Sequence, residues 1–298
     1  MTSHAPARPV WRSLLYVPAN NARFVAKAHT RGADAIILDL EDACPPAERP
    51  AARAALAETV KSVGQAGADV TVRINRDEWR EDVEAAVIAG VRALFVAKSD
   101  SPGYLRELDE RIASLESERG IATGAIGLAL MIEDPGSLRR AAEIGTASSR
   151  ALSMQIGGED FATQMNFAPD PETLELPKLM CLMAARELGL MPLGILGTVA
   201  DYTDLDVVSA MLARTRKFGF EGASCIHPAI VPLLNEAFSP TPDEVAWAER
   251  VVTEYAAAQK DGVGAITVDG RMVDVPVATR AQALLERHRA ISIKKSGG

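Results

Sequence analysis

Up to residue 226 the chain is punctuated by eight short apolar runs, at 13–17, 35–40, 70–74, 93–97, 127–132, 151–156, 192–196 and 223–226. They are near-continuous rather than alternating, as expected of strands covered on both faces of a parallel sheet. Between them, apolar residues recur at helical spacing over 21–30, 49–62, 82–89, 103–119, 137–144, 177–188 and 206–218. Eight strands alternating with helices predict an α/β fold, a (β/α)8 TIM barrel rather than a doubly wound sheet. After His227 the pattern changes. FSPTPDEVAWAERVVTEYAAAQ opens on helix-start residues Ser239, Pro240, Pro242 and Asp243. GVGAITVDGRMVDV predicts a hairpin turning at Asp269-Gly270, and a last helix follows over 278–291. The pattern therefore divides the chain into a barrel domain, 1–235, and a C-terminal helix–hairpin–helix extension, 236–298, too small for a core of its own.

Composition narrows the partners. Lys and Arg number 32 against 40 Asp and Glu, a net charge of −8, which argues against a nucleic-acid surface. No apolar run has the length of a membrane span, and the opening MTSHAPARPVW lacks the apolar core of a secretion signal. Three cysteines, Cys44, Cys181 and Cys225, are few, scattered and odd in number. They make no disulfide framework, and a reducing cytoplasm is the expected location. Cys181 and Cys225 sit in apolar runs and are expected in the core.

Barrel chemistry sits where strands end. The stretch 127–160, GLALMIEDPGSLRRAAEIGTASSRALSMQIGGED, carries an acid after each of two neighbouring strands, Glu133 and Asp160. Two carboxylates at the same ends of parallel strands suit a hard cation that prefers oxygen ligands. The other strand ends add Asp39, Glu41, Asp42, Arg73, Asn75, Lys98 and His227. Arg73 is suited to grip a carboxylate with two parallel hydrogen bonds. Acids with an Arg and a Lys on one rim predict a divalent cation and an anionic substrate held together. Chemistry at a carbonyl next to a carboxylate follows. Lys98 is expected to pair with a rim acid, His227 to make a structural hydrogen bond, and Asp42 to cap a helix or face solvent as readily as to bind anything. His4, His29, His227 and His288 lack zinc spacing, and there is no CxxC, GxGxxG, GxxxxGK[ST] or GxSxG.

The segments RSLLYVPANNARF, DAIILDLEDACPPAERPAAR, VRIN, LMIEDP, GGEDF and CIHPAIV, in this order, resemble the citrate lyase β-subunit-like branch of the HpcH/HpaI aldolase superfamily. The resemblance runs from Arg12 to about Ile291. FSPTPDEVAWAERVV and GRMVDVPVATRAQALL look most like citramalyl-CoA and malyl-CoA lyases. It implies a (β/α)8 barrel enzyme that binds Mg²⁺, with Mn²⁺ as an alternative, and takes coenzyme A as part of its substrate. A homo-oligomer, a trimer or a multiple of one, is implied too. Glu133 and Asp160 would ligate the metal, Glu133 also contacting substrate. Arg73 would hold the 2-oxo acid. Asp274 would serve as general acid/base in a neighbouring subunit's site. Tyr16, Arg23, Arg49 and Arg53 would contact coenzyme A. Asp134 departs from the family, which has Thr or Ser there, and would add a carboxylate beside the metal.

The implied reaction is retro-Claisen cleavage of a 3-hydroxyacyl-CoA to acetyl-CoA and pyruvate or glyoxylate. Its rivals are malyl-CoA thioester hydrolysis, citryl-carrier cleavage as a citrate lyase β subunit, a CoA-independent 2-oxo acid aldolase, and a non-catalytic barrel that binds thioesters.

Overall fold

Each predicted apolar run forms a strand: β1 (Ser13–Pro18), β2 (Ala35–Asp39), β3 (Asp69–Ile74), β4 (Val91–Val96), β5 (Gly127–Ile132), β6 (Ala151–Ile156), β7 (Met191–Pro192) and β8 (Ala223–Cys225). The computed structural model describes residues 6–197 and 204–296, so His4 lies outside the described residues. All eight strands pair in parallel in the order β7-β6-β5-β4-β3-β2-β1-β8. The two edges of this curled sheet meet at a parallel bridge between Leu193 and Gly222. There Gly194 N donates to Gly222 O at 2.9 Å and Glu221 N to Pro192 O at 3.1 Å. The result is an α/β fold of TIM-barrel type. β7 is shorter than the run 192–196 predicts. Pro192 has no N–H to give, and Gly194, at φ +136°, turns the chain out of the strand.

Helices cover the sheet: α1 (Ala22–Ala28), α2 (Arg49–Gly64), α3 (Trp79–Ala86), α4 (Pro102–Glu118), α5 (Pro135–Arg139), α6 (Ala141–Gly145), α7 (Gly158–Met165), α8 (Pro171–Glu187), α9 (Leu205–Phe218) and α10 (Val231–Ala237). The single helix expected over 137–144 is two, interrupted at Arg140 (φ −108°, ψ 15°). α8 begins six residues before the expected 177. Asp170 and Thr173 form its capping box, and Pro177, which looks like a helix start, lies inside the helix. The helices α7 and α10 were not foreseen.

Strand periodicity decides what faces the barrel interior. Trp11, Leu14, Ala35, Ile37, Ala93, Phe95, Ala129, Met131, Leu152, Met191 and Leu193 fill it as one apolar cluster. Two residues beyond Ile37 comes Asp39, and two beyond Met131 comes Glu133. Because side chains alternate with a period of two, those acids share the inward face at the end of each strand. The opposite end is sealed by Arg12, whose guanidinium donates to both carboxylate oxygens of Asp34 at 2.7 and 2.8 Å.

The chain divides into two compact units at Ala237/Phe238. The second contains α11 (Pro242–Lys260), the antiparallel hairpin β9 (Ile266–Val268) and β10 (Arg271–Val273), and α12 (Val275–Ser296). Asp269 and Gly270 both take positive φ, 49° and 74°, the signature of a tight two-residue hairpin turn. Contrary to expectation, this unit has its own apolar cluster, built from Ala248, Val251, Tyr255, Val268, Val273, Ala281 and Leu285. Two long helices closing on a hairpin bury more apolar surface than the residue count suggests.

Gly222 marks the seam between β7 and β8. A Cβ there would stand 1.8 Å from the backbone oxygen of Trp11, so neighbouring backbone has to move. Gly222→Ala is expected to lower the unfolding free energy by about 3 kcal/mol, measured by urea denaturation.

Candidate functional site

Arg73, at the end of β3, is the centre of the rim. Its Nε and Nη2 donate to Asp39 Oδ1 and Oδ2 at 2.7 and 2.6 Å, a bidentate pair with both residues buried. Its Nη1 reaches Glu41 Oε2 at 2.7 Å and Asp42 Oδ2 at 3.0 Å. The Tyr16 ring lies against it, 5.0 Å from the guanidinium carbon. Asp39 also accepts from Glu41 N at 2.9 Å and Ala43 N at 3.2 Å, so one carboxylate fixes both the arginine and the loop after β2. Burial lowers the Arg73 pKa, but its hydrogen bonds to the Asp39 carboxylate outweigh burial and hold it well above the ordinary value, so it stays a cation.

Glu133, directly after β5, is buried, and its Oε2 accepts the Lys98 N–H at 3.0 Å. It fits only because residue 157 is glycine: a Cβ there would lie 2.5 Å from Glu133 Cγ and Oε1. Gly157 caps α7, whose first turn carries Glu159 and Asp160. The Lys98 ammonium sits 2.8 Å from Glu41 Oε1 and 4.0 Å from Asp160 Oδ1. The expected pairing of Lys98 with a rim acid is thus what the structure shows. Burial first, then the charges of Glu41 and Asp160, push the Glu133 carboxyl up to about 8.

These groups border a cavity of about 820 Å³, lined by Tyr16, Arg23, Asp39, Arg73, Glu133 and Asp160 among others, all from the first unit. Its walls are largely apolar, with Leu15, Val17, Phe24, Met131, Ile156 and Ile226. Of the expected coenzyme A contacts, Tyr16 and Arg23 border the cavity. Arg49 and Arg53 do not. Arg49 is held by Glu78 Oε1 at 2.6 Å, and Arg53 by Asp82 Oδ1 at 2.7 Å and by Glu78, so both tie α2 to the start of α3. Two cations missed in the sequence stand in the cavity wall instead, Lys27 and Arg31. With Arg23 they recur every four residues, a spacing that puts them along one side of the α1 segment and was readable. Asp134 is no metal-side carboxylate: its Oδ1 accepts from Ser137 N at 2.9 Å and it caps α5. Asp274 belongs to the second unit, where its Oδ1 accepts from Val277 N at 3.2 Å at the start of α12. His227 Nδ1 accepts from Ala229 N at 3.2 Å, a structural bond. Cys181 and Cys225 are buried, and burial pushes both thiols up to about 12.

Among the described residues, no three of His, Cys, Asp and Glu converge into a cage for a metal. Two carboxylates do fit a cation that keeps water and substrate oxygens as its other ligands, as Mg²⁺ does. Burial and the neighbouring acids favour the protonated form of Glu133 near neutrality, which such a cation would reverse. Below about 8 the folded, cation-free protein keeps a proton on Glu133 that the unfolded chain, at 4.5, has lost. From this group, cation-free stability falls as pH rises between those values. Cation binding expels the proton, so Mg²⁺ affinity is expected to rise with pH up to about 8, and the Mg²⁺-induced gain in melting temperature to be larger at high pH than near 6. Calorimetric titration across that range checks it. Gly157→Ala, by displacing Glu133, is expected to weaken Mn²⁺ binding at least about tenfold.

The family model for HpcH/HpaI aldolase/citrate lyase matches residues 12–228. Over 292 residues the chain is 32% identical to the citrate lyase subunit beta of Escherichia coli K12, covering 95% of each. Over 287 residues it is 32% identical to a (3S)-malyl-CoA thioesterase of Cereibacter sphaeroides, covering 95% of this chain and 96% of that one. The structure of CitE from Mycobacterium tuberculosis in complex with magnesium, acetoacetate and coenzyme A superposes with a TM-score of 0.70 at 27% identity, covering 95% of this chain and 99% of that one. A citrate lyase from Burkholderia xenovorans shares the fold, with a TM-score of 0.80 at 22% identity over 96% and 94% of the two chains. With the strand-end acids and the Arg73 clamp, these matches place the chain in the HpcH/HpaI aldolase/citrate lyase family.

Proposed function

We propose that the protein is a Mg²⁺-dependent carbon–carbon lyase. It would cleave a 3-hydroxyacyl-CoA, malyl-CoA or citramalyl-CoA, to acetyl-CoA and a 2-oxo acid. The observation that carries this reading is the pairing of two features in one cavity. Arg73, Glu133 and Asp160 line it, and so do the exposed cations Arg23, Lys27 and Arg31. The first group suits a hydroxy acid, the second the phosphates of coenzyme A. A CoA-free hydroxylated 2-oxo acid would leave Arg23, Lys27 and Arg31 without a role.

Glu133 and Asp160 would hold the cation, which when bound supplies Lewis acidity toward the substrate hydroxyl and carboxylate. Arg73, pre-oriented by Asp39, would take the carboxylate. Asp42, whose side chain is 62% exposed, is the partner it exchanges for the substrate most readily. Transfer of the hydroxyl proton to a general base, a role open to Asp274 as general acid/base, would let the C–C bond break. The oxygen's electron pair becomes the carbonyl of the 2-oxo acid, and the bond pair becomes the enolate of acetyl-CoA. Arg73 stays charged throughout and stabilises the negative charge on the departing acid. Asp274 of a neighbouring copy would return a proton to the enolate carbon. The similarity to a malyl-CoA thioesterase favours one alternative, attack of water on the thioester.

Mass-spectrometric product analysis with malyl-CoA and both citramalyl-CoA stereoisomers separates these readings. Acetyl-CoA with glyoxylate or pyruvate, lost on EDTA treatment, is the expected result. Free CoA with intact hydroxy acid would establish hydrolysis. Glu133→Ala and Asp160→Ala are expected to abolish the cation-dependent activity. Arg73→Lys keeps the charge but not the fork, and is expected to lower kcat about 100- to 1000-fold. Mixing Asp274→Ala with Arg73→Ala subunits should restore part of the activity if Asp274 acts across an interface; absence of rescue after subunit exchange would remove that role.

A further inference from the structure

Lys98 stands in a backbone conformation that its side chain opposes. Its φ is +50°, in the left-handed region where a Cβ crowds the following carbonyl. The turn has two effects. The backbone N–H aims at Glu133 Oε2, 3.0 Å away, and the side chain doubles back over the same group of acids. Its ammonium lies 2.8 Å from Glu41 Oε1 and 4.0 Å from Asp160 Oδ1. One residue thereby meets carboxylates from the ends of β2, β5 and β6. Glu41 and Glu133 are 5% and 4% exposed, so a negative charge on either is poorly screened by water. Arg73 Nη1 offsets Glu41 from the far side, but Arg73 is already committed to Asp39.

We infer that Lys98 is a positioning residue, a tethered cation that holds Glu41, Glu133 and Asp160 together before the divalent cation arrives and competes with it afterwards. The inference rests on reading Glu133 and Asp160 as the ligands of that cation. An ammonium a few ångströms from a bound divalent ion repels it, whereas the same carboxylates without the ammonium attract it more strongly. Lys98 thus trades affinity for order. It stabilises the cation-free site and keeps the bound cation exchangeable. A residue that merely buttressed the ligands would act in the opposite sense, and its loss would weaken binding.

The test is Mn²⁺ binding, followed by electron paramagnetic resonance, together with the melting temperature of the cation-free protein. Wild type is compared with Lys98→Met, Lys98→Gly and Lys98→Arg. Lys98→Gly removes the ammonium while favouring the left-handed backbone and keeping the N–H toward Glu133. The Mn²⁺ Kd is expected to fall about tenfold in Lys98→Met and Lys98→Gly and to stay near wild type in Lys98→Arg. The cation-free melting temperature of Lys98→Met should fall. Should Lys98→Met not fold, the glycine variant carries the test alone. Unchanged or weaker Mn²⁺ binding by Lys98→Gly overturns the inference and leaves the ligand assignment standing. Absence of Mn²⁺ binding by the wild-type protein overturns both.

Discussion

A guanidinium buried at the end of a parallel sheet is tolerable only if a carboxylate meets it with matching geometry. Asp39 does this for Arg73 from the adjacent strand, the two being direct register partners of β2 and β3. Breaking such a pair by removing one partner typically costs about 3–5 kcal/mol, because the other charge is left buried alone. The arrangement constrains everything around it. β2 and β3 cannot slip by a residue without turning Asp39 or Arg73 to the other face of the sheet. The loop after β2 is pinned through Glu41 N and Ala43 N, and Glu41 is thereby brought to Lys98. The site is one electrostatic network rather than a set of separate residues.

Much of this was legible in the sequence because parallel strands announce themselves as unbroken apolar runs. A residue placed just beyond such a run has few places to go. Glu133, Asp160 and Arg73 are singled out that way, Tyr16 and Arg23 by their resemblance to the family, and all five border the same cavity. What stayed hidden depends on partners distant in sequence. Arg49 and Arg53 look free in the chain, yet Glu78 and Asp82, some thirty residues on, take them up. Asp134 looks like a third metal-side acid because it follows Glu133. Its short side chain instead finds the N–H groups of its own turn, as aspartate before a Pro-Gly-Ser start tends to do. Pro177 misleads for a related reason: proline marks helix starts on average, but here the Asp170 capping box begins the helix earlier. The requirement for glycine at 157 is set entirely by Glu133 across the β5–β6 boundary, and no local pattern announces it.

The chain's two units divide its polar groups between them. The first unit supplies the sheet, the cavity and the acids. The second, with its own buried cluster, carries Asp274 at a helix start, where the Val277 N–H donates to its carboxylate. A carboxylate fixed by its own element needs no help from the sheet to keep its direction.

The cavity's cations differ in exposure. Arg73 is buried and already paired, whereas Arg23 and Lys27 in α1 and Arg31 just after it are exposed. At physiological ionic strength the Debye length is only about 8 Å, so salt weakens the attraction of the exposed cations and hardly reaches the buried one. An anion held by the exposed cations would be loosened by added electrolyte, and an acid held by Arg73 much less. The two halves of one bound molecule would therefore answer to different variables, the outer to ionic strength and the inner to hydrogen-bond geometry.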